Sequence, residues 1–272
     1  MAFFIFIAER SLLAFGLLLF LAQLIAHEIG LRFGRRDRAK DRGQPETVGI
    51  VVGGMLGLLA FVLALTLSFA NTRFNERREG SLMEANAIGT AWLRAKAIGG
   101  PQADQIAALL EQYTQVRADF VRHGGSRASI AELNQRTNAL QSEMWGQLAP
   151  IVREQPSAIS NSLMLALNDL FDASTKERLA FETRLPPQLF WLLIGMTLLS
   201  VTCLGYQFGL KEKPSRVLVA LLTLMWTAVI VDILDLAASR IGQLRTATTV
   251  YEWTLQGFGG TTSIPSPSGT RP

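Results

Sequence analysis

The sequence predicts an all-α membrane protein with four transmembrane helices and an extramembrane antiparallel helical bundle. Two observations carry this. Four apolar runs of 17 residues or more occur in a chain that is 49% hydrophobic with mean hydropathy +0.25. Each is close to the ~20 residues a helix needs to cross a ~30 Å hydrocarbon core. Between the second and third runs, apolar residues recur at helical spacing, and no useful length shows the alternation of a strand.

Taken in order, residues 1–70 hold the first two spans, at about 11–27 and 48–70. The first is the shortest, and the apolar stretch Ala2–Ala8 before Glu9 and Arg10 is a possible extension of it. A cleavable leader would need a small-x-small site, which "LIAHE" matches poorly. Residues 71–187 form the bundle. Pro101 suits a first helical turn, and Ile106, Leu109, Leu110, Tyr113, Val116 and Phe120 follow on one face. "HGGS" (His123–Ser126) breaks the chain, and a second helix turns Ile130, Leu133, Leu140, Met144, Leu148 and Ile151 inward. A third begins near Pro156 with Ile159, Leu163, Leu167, Leu170 and Phe171 inward, ending at "LPPQ". Residues 188–236 carry spans three and four, at about 189–210 and 217–236. The C-terminal segment 237–272 ends in a Gly/Ser/Thr/Pro-rich tail from Gly257 and is expected to be disordered from about 258.

Charge bounds the partners. The formal net charge is +4 and the pI near 9.6, but the basic residues sit beside the spans. That placement fits membrane topology better than nucleic acid, so the lipid bilayer is the expected partner and nucleic acid is not. The loop after span one carries Arg32, Arg35, Arg36, Arg38, Lys40 and Arg42, and the loop after span three Lys211, Lys213 and Arg216. With four spans these loops share a side. The positive-inside rule makes that side cytoplasmic, and so places the bundle and both termini outside. Arg73, Arg77 and Arg78 near the end of span two argue the other way, although long loops count less.

Chemistry of the enzymatic kind is not expected. Cys203 is the single cysteine and lies inside span three, leaving no disulfide framework or thiolate metal cluster. His27–Glu28 lacks the second His of a zincin helix, and no phosphate-cradling "GxxxxGK[ST]" occurs. No catalytic residue, cofactor or metal ligand is assigned.

Span two instead shows a small-residue face. Gly49, Gly53, Gly57, Ala60, Ala64 and Ser68 step by threes and fours along one side of the helix. In lipid, close backbone approach is a main source of helix association. The stripe therefore reads as a tight crossing within the chain, or as an oligomer interface or pore-facing wall. No Pro follows until Pro101, so the helix is expected to run on to about Gly99. Along that extension Arg77, Ser81 and Glu84 share a face, whereas Asn86 lies ~200° from Glu84. An ion pair or inter-helix pairs within the bundle is one reading of Arg77 and Glu84; an ion-attracting ring in an oligomer is the other. Asp232 and Asp235 stand on one side of span four near its end, where a carboxylate reaches headgroup water or serves a function.

"FANTRFNERREGSLMEANAIGTAWLRA" (Phe69–Ala95) resembles the signature of the bestrophin-like family of bacterial membrane proteins. Further similar stretches follow in order: "LLEQYTQVR" (Leu109–Arg117), "LNDLFDASTKERLA" (Leu167–Ala180), "LPPQLFWLL" (Leu185–Leu193) and "GYQFGL" (Gly205–Leu210). The resemblance covers about 50–245. Where the family closes its last span with Asp-Leu-Asp-Arg-Pro and a Gly, this chain has "DLAASRIG", keeping Asp235, Leu236 and Gly242. The family takes its name from a distant likeness to bestrophins, which are anion channels. The resemblance thus implies a homo-oligomeric channel for small anions. The competing expectation is a membrane-anchored interaction or sensing module whose bundle binds a partner and conducts nothing. Span two carries no charge between Val48 and Ala70, which favours that module over a charge-lined pore but leaves room for a hydrophobic constriction.

Overall fold

A computed structural model describes residues 11–40, 45–122, 127–154, 156–183, 186–211, 215–238 and 246–259. All regular structure among them is helical. The chain divides into two compact units, residues 1–74 with 184–244 and residues 75–183 with 245–272.

The first unit holds four helices: α1 (Leu12–Ala39), the first part of α2 (Pro45–Ile98), α6 (Pro187–Leu210) and α7 (Arg216–Ala237). All four are long and apolar enough to cross a membrane. Ser11 caps α1, its Oγ accepting from the Ala14 N–H at 3.3 Å. The extension considered at Ala2–Ala8 lies outside the described residues. At its other end α1 continues well past His27, so the basic run expected in a loop is largely helical. Arg, Lys and Leu favour helix, and no Pro intervenes before Pro45.

Packing adds a second reason for that length. Cβ atoms placed on Gly30 and Gly34 of α1 would lie 2.0 Å and 2.1 Å from the Thr202 and Tyr206 carbonyl oxygens of α6. On α6, Cβ atoms at Gly205 and Gly209 would meet the His27 and Leu31 carbonyls at 2.2 and 2.4 Å. Two small-xxx-small pairs thus press backbone against backbone, the close approach that stabilises helices in lipid. Polar links reinforce α1: buried Gln23 donates from Nε2 to Thr227 Oγ1 of α7 at 2.8 Å, and Tyr206 donates to Asp37 Oδ2 at 3.0 Å. Phe15, Leu19, Leu59, Leu63, Phe190, Leu193, Ile230 and Ile233 fill the core, drawn from all four helices.

The second unit is an all-helical bundle. It comprises the remainder of α2, α3 (Pro101–Arg122), α4 (Arg127–Glu154), α5 (Ala158–Glu182) and α8 (Thr249–Phe258). At 54 residues, α2 is roughly 80 Å long, close to the length its sequence suggests. It stops at Gly99 and Gly100, whose φ values of 68° and 86° make the left-handed turn that admits Pro101 into α3. Ser157 caps α5 reciprocally with Ser160. Ile88, Ile106, Leu110, Tyr113, Phe120, Met144, Leu163, Leu167 and Leu170 are buried in one core.

Two features depart from expectation. Ile159, expected inward, is 58% exposed: it lies in the first turn of α5, where Ser160 takes the inward position. The C-terminal segment is helical over α8, which seats Val250, Tyr251 and Phe258 against the bundle core. The expected disordered tail lies, from residue 260, outside the described residues, as do the break at His123–Ser126 and residues 239–242 of "DLAASRIG".

Candidate functional site

Five helices of the bundle direct polar side chains to one sealed point. Glu84 of α2 is fully buried, and its Oε1 accepts from Tyr113 Oη at 2.9 Å and from Arg117 Nε at 2.7 Å. Both partners come from α3, where residues four apart share a face. Glu177 of α5, also fully buried, accepts from Arg117 Nη2 on Oε2 and from Ser81 Oγ on Oε1. Tyr251 of α8 bridges the acids. Its hydroxyl oxygen is 2.7 Å from Glu84 Oε2 and 2.8 Å from Glu177 Oε1. Gln141 of α4 closes the far side, donating to Tyr113 Oη and Ser174 Oγ, each at 3.3 Å.

A buried charge must be paired and hydrogen-bonded, and Arg117 meets both requirements for the two acids. Burial would depress its guanidinium, but the Glu84 and Glu177 charges more than compensate and hold it firmly protonated. Burial raises the Glu177 carboxyl well above the usual carboxylate range, and the charge of Glu84 raises it further. The same burial acts on Glu84, yet Arg117 and the hydrogen bonds it receives outweigh it and hold its carboxyl below that range. One acid is thus favoured as an anion and its neighbour as a neutral acid. Burial and the Glu84 charge push both tyrosine hydroxyls above their ordinary value.

The sequence singled out Arg77, Glu84, Asn86, Asp232 and Asp235, and the structure separates them. Glu84 is paired between helices with Arg117 rather than along α2 with Arg77, which is itself 1% exposed. Neither therefore faces out as a pore ring would require. Asn86 is exposed, as its angular offset from Glu84 predicts. Asp235 is buried while Asp232 is exposed, so these two do not form a joint site.

The stripe on α2 also divides. Gly49 is partly covered, a Cβ there lying 2.8 Å from Gln207 Nε2. Gly53, Gly57, Ala60, Ala64 and Ser68 are all exposed, and Cβ atoms on Gly53 and Gly57 would meet nothing within 4 Å. Inward positions are taken by Val52, Leu59, Leu63, Thr66 and Ala70. The stripe is therefore not a tight crossing within the unit; that role belongs to Gly30, Gly34, Gly205 and Gly209.

Sequence reasoning missed Arg117, Glu177 and Tyr251 as members of the site. Arg117 and Glu177 do sit within two of the stretches that carry the family resemblance, each at a position of otherwise inward-facing residues. A charge on an apolar stripe was the available clue. Among the described residues, no group of three or more His, Cys, Asp or Glu side chains could hold a metal ion. No curated protein and no solved structure matches the chain. Residues 2–245 match the Bestrophin-like domain, which extends the likeness through the first span, and the chain belongs to that family.

Proposed function

We propose that the protein is a homo-oligomeric ion conduit of the bacterial inner membrane, passing small anions, with α2 at the interface between copies. The observation that carries this reading is the uncovered small-residue face of α2. Only 17% of the most apolar window of this helix is buried, the lowest share among the four spans. A helix facing lipid gains nothing from Gly and Ala there, whereas a second helix gains close approach. Large apolar residues, Phe61, Leu65 and Phe69 among them, flank the stripe and are exposed to lipid or to that neighbour. In the bundle, α2 likewise leaves Leu82 and Leu93 about half exposed, which suits an interface better than water.

The α2 span has no charge between Val48 and Ala70, so selection by an apolar constriction that gates by dewetting fits better than a charged ring. Arg77 and Glu84 serve the bundle's interior in this reading. Orientation follows the basic residues: Arg216 at the start of α7 comes within 4.0 Å of Glu28 on α1, which supports both short loops sharing one side. That side is the cytoplasm by the positive-inside rule, leaving the bundle outside. The sealed ionisable cluster favours a second reading, a sensing module whose bundle responds to a signal while nothing crosses.

Native mass spectrometry of the purified protein tests the interface. A defined oligomer is expected, and Gly57→Leu, at a position where a Cβ would meet nothing within 4 Å, is expected to yield monomer with unchanged helix content. A wild-type protein that is monomeric in both detergent and nanodiscs removes the conduit and leaves the module.

A further inference from the structure

The Glu84–Tyr251–Glu177 triangle has more close oxygen–oxygen approaches than its fixed donors can fill. Five donor groups surround the four carboxyl oxygens: Tyr113 O–H, two N–H groups of Arg117, Ser81 O–H and Tyr251 O–H. Tyr251 has a single proton but sits within 2.8 Å of an oxygen on each acid. With both acids ionised, one of these approaches would set the phenol lone pairs against an anionic oxygen. Among the groups bonded to the acids the charge gives the same answer: two carboxylates against the guanidinium of Arg117 leave an excess of one negative charge. A proton on Glu177 Oε1 completes the chain, Glu177 donating to Tyr251 and Tyr251 to Glu84, and neutralises the cluster.

We propose that Glu84 and Glu177 form a proton-binding site that latches α8 onto the bundle through Tyr251, so that losing the shared proton releases this helix. The inference does not depend on whether the protein conducts ions. A ten-residue helix is marginal alone, so α8 keeps its order by docking. Its anchors are few: Tyr251, Val250 and Phe258 enter the core, and the Phe258 ring lies 5.1 Å from that of Trp92. Outside the seal the Arg122–Glu252 pair at 3.6 Å joins α8 to α3, and both its side chains are about half exposed. The Tyr251 hydroxyl is the one polar atom by which α8 reaches both acids.

The groups bonded to the pair and its partners come from every element around it: Ser81 on α2, Tyr113 and Arg117 on α3, Gln141 on α4, Ser174 on α5 and Tyr251 on α8, while the buried Arg77 of α2 lies near the charge of Glu76. Arg117 stays charged throughout, and the phenols stay neutral. The titrating proton is therefore that of the acid pair. Glu177 has its proton affinity raised, so its contribution to docking is complete below the ordinary carboxylate range and is lost as pH rises through its folded value. Docking weakens by up to about tenfold per pH unit as pH rises toward the docked-state value.

Two measurements on the full-length protein in nanodiscs test this. Infrared spectroscopy should show the carbonyl stretch of a buried protonated carboxylic acid at neutral pH, lost in Glu177→Gln. Hydrogen exchange of residues 249–258, corrected for the intrinsic base-catalysed rate, should show protection falling with pH in the wild type. Glu177→Gln, whose amide donates to Tyr251 without titrating, should show protection independent of pH. Tyr251→Phe keeps the ring but removes the bridge. It serves as the second variant, with weaker protection of α8 and a flattened pH dependence. A wild type without the acid band, or with α8 protection that does not change with pH, overturns the proposal even if neither variant folds.

Discussion

Replacing Arg117 with Met tests the bundle's interior most severely. The guanidinium is 1% exposed, donates from Nε to Glu84 at 2.7 Å and from Nη2 to Glu177, and lies 4.4 Å over the Phe120 ring. Met retains apolar packing over Phe120 but supplies no charge. Removing one side of a buried pair leaves the other side uncompensated, at a cost of about 3–5 kcal/mol. Against a total stability of about 5–15 kcal/mol, that is enough to lower the folded population markedly.

The sign of the pH dependence also changes. In the wild type Glu84 is held below the usual carboxylate range, so its contribution is complete above that range and is lost as pH falls through its folded value. Without Arg117, burial dominates and raises Glu84. Its contribution is then complete at low pH and lost as pH rises, at up to about 1.4 kcal/mol per pH unit. Denaturant unfolding in detergent, followed by the fluorescence of the buried Trp92, reads both effects, and Arg117→Met with Glu84→Gln should recover much of the loss. A cost under about 1 kcal/mol, or one unchanged between acidic and alkaline buffer, would refute the sealed, paired cluster.

Other expectations follow from the packing. Gly30→Ala should disrupt the α1–α6 crossing, because its Cβ meets backbone rather than a movable side chain, costing at least about 1–3 kcal/mol, as overpacking typically does. Gly54→Ala, where a Cβ meets nothing within 4 Å, should be neutral; thermal aggregation of the two variants compares them directly. Gln23→Leu should lower stability by about 0.6 kcal/mol, the scale of inter-helix hydrogen bonds in membranes, with Thr227→Val adding little further in a double-mutant cycle.

Much of the architecture is written locally. Apolar runs define the four spans because hydrocarbon demands length and hydropathy of each helix separately. Bundle helices α3 to α5 show through their 3.6-residue stripes for a similar reason. What escaped was non-local. Arg117 and Glu177 are 60 residues apart and find each other only across the core, and Tyr251 joins them from a helix too short to declare itself. The glycine crossing was split between a basic segment at Gly30 and Gly34 and a distant one at Gly205 and Gly209. Small residues on α2 were legible as one helix face, but periodicity does not say whether that face meets the same chain, another copy or lipid.

The most direct test of the conduit is electrical. Purified protein reconstituted into planar bilayers, with insertion verified, should give unitary currents whose reversal potential in an anion gradient follows the anion, and Gly57→Leu should abolish them. Silent bilayers containing correctly inserted, oligomeric wild-type protein would contradict the account.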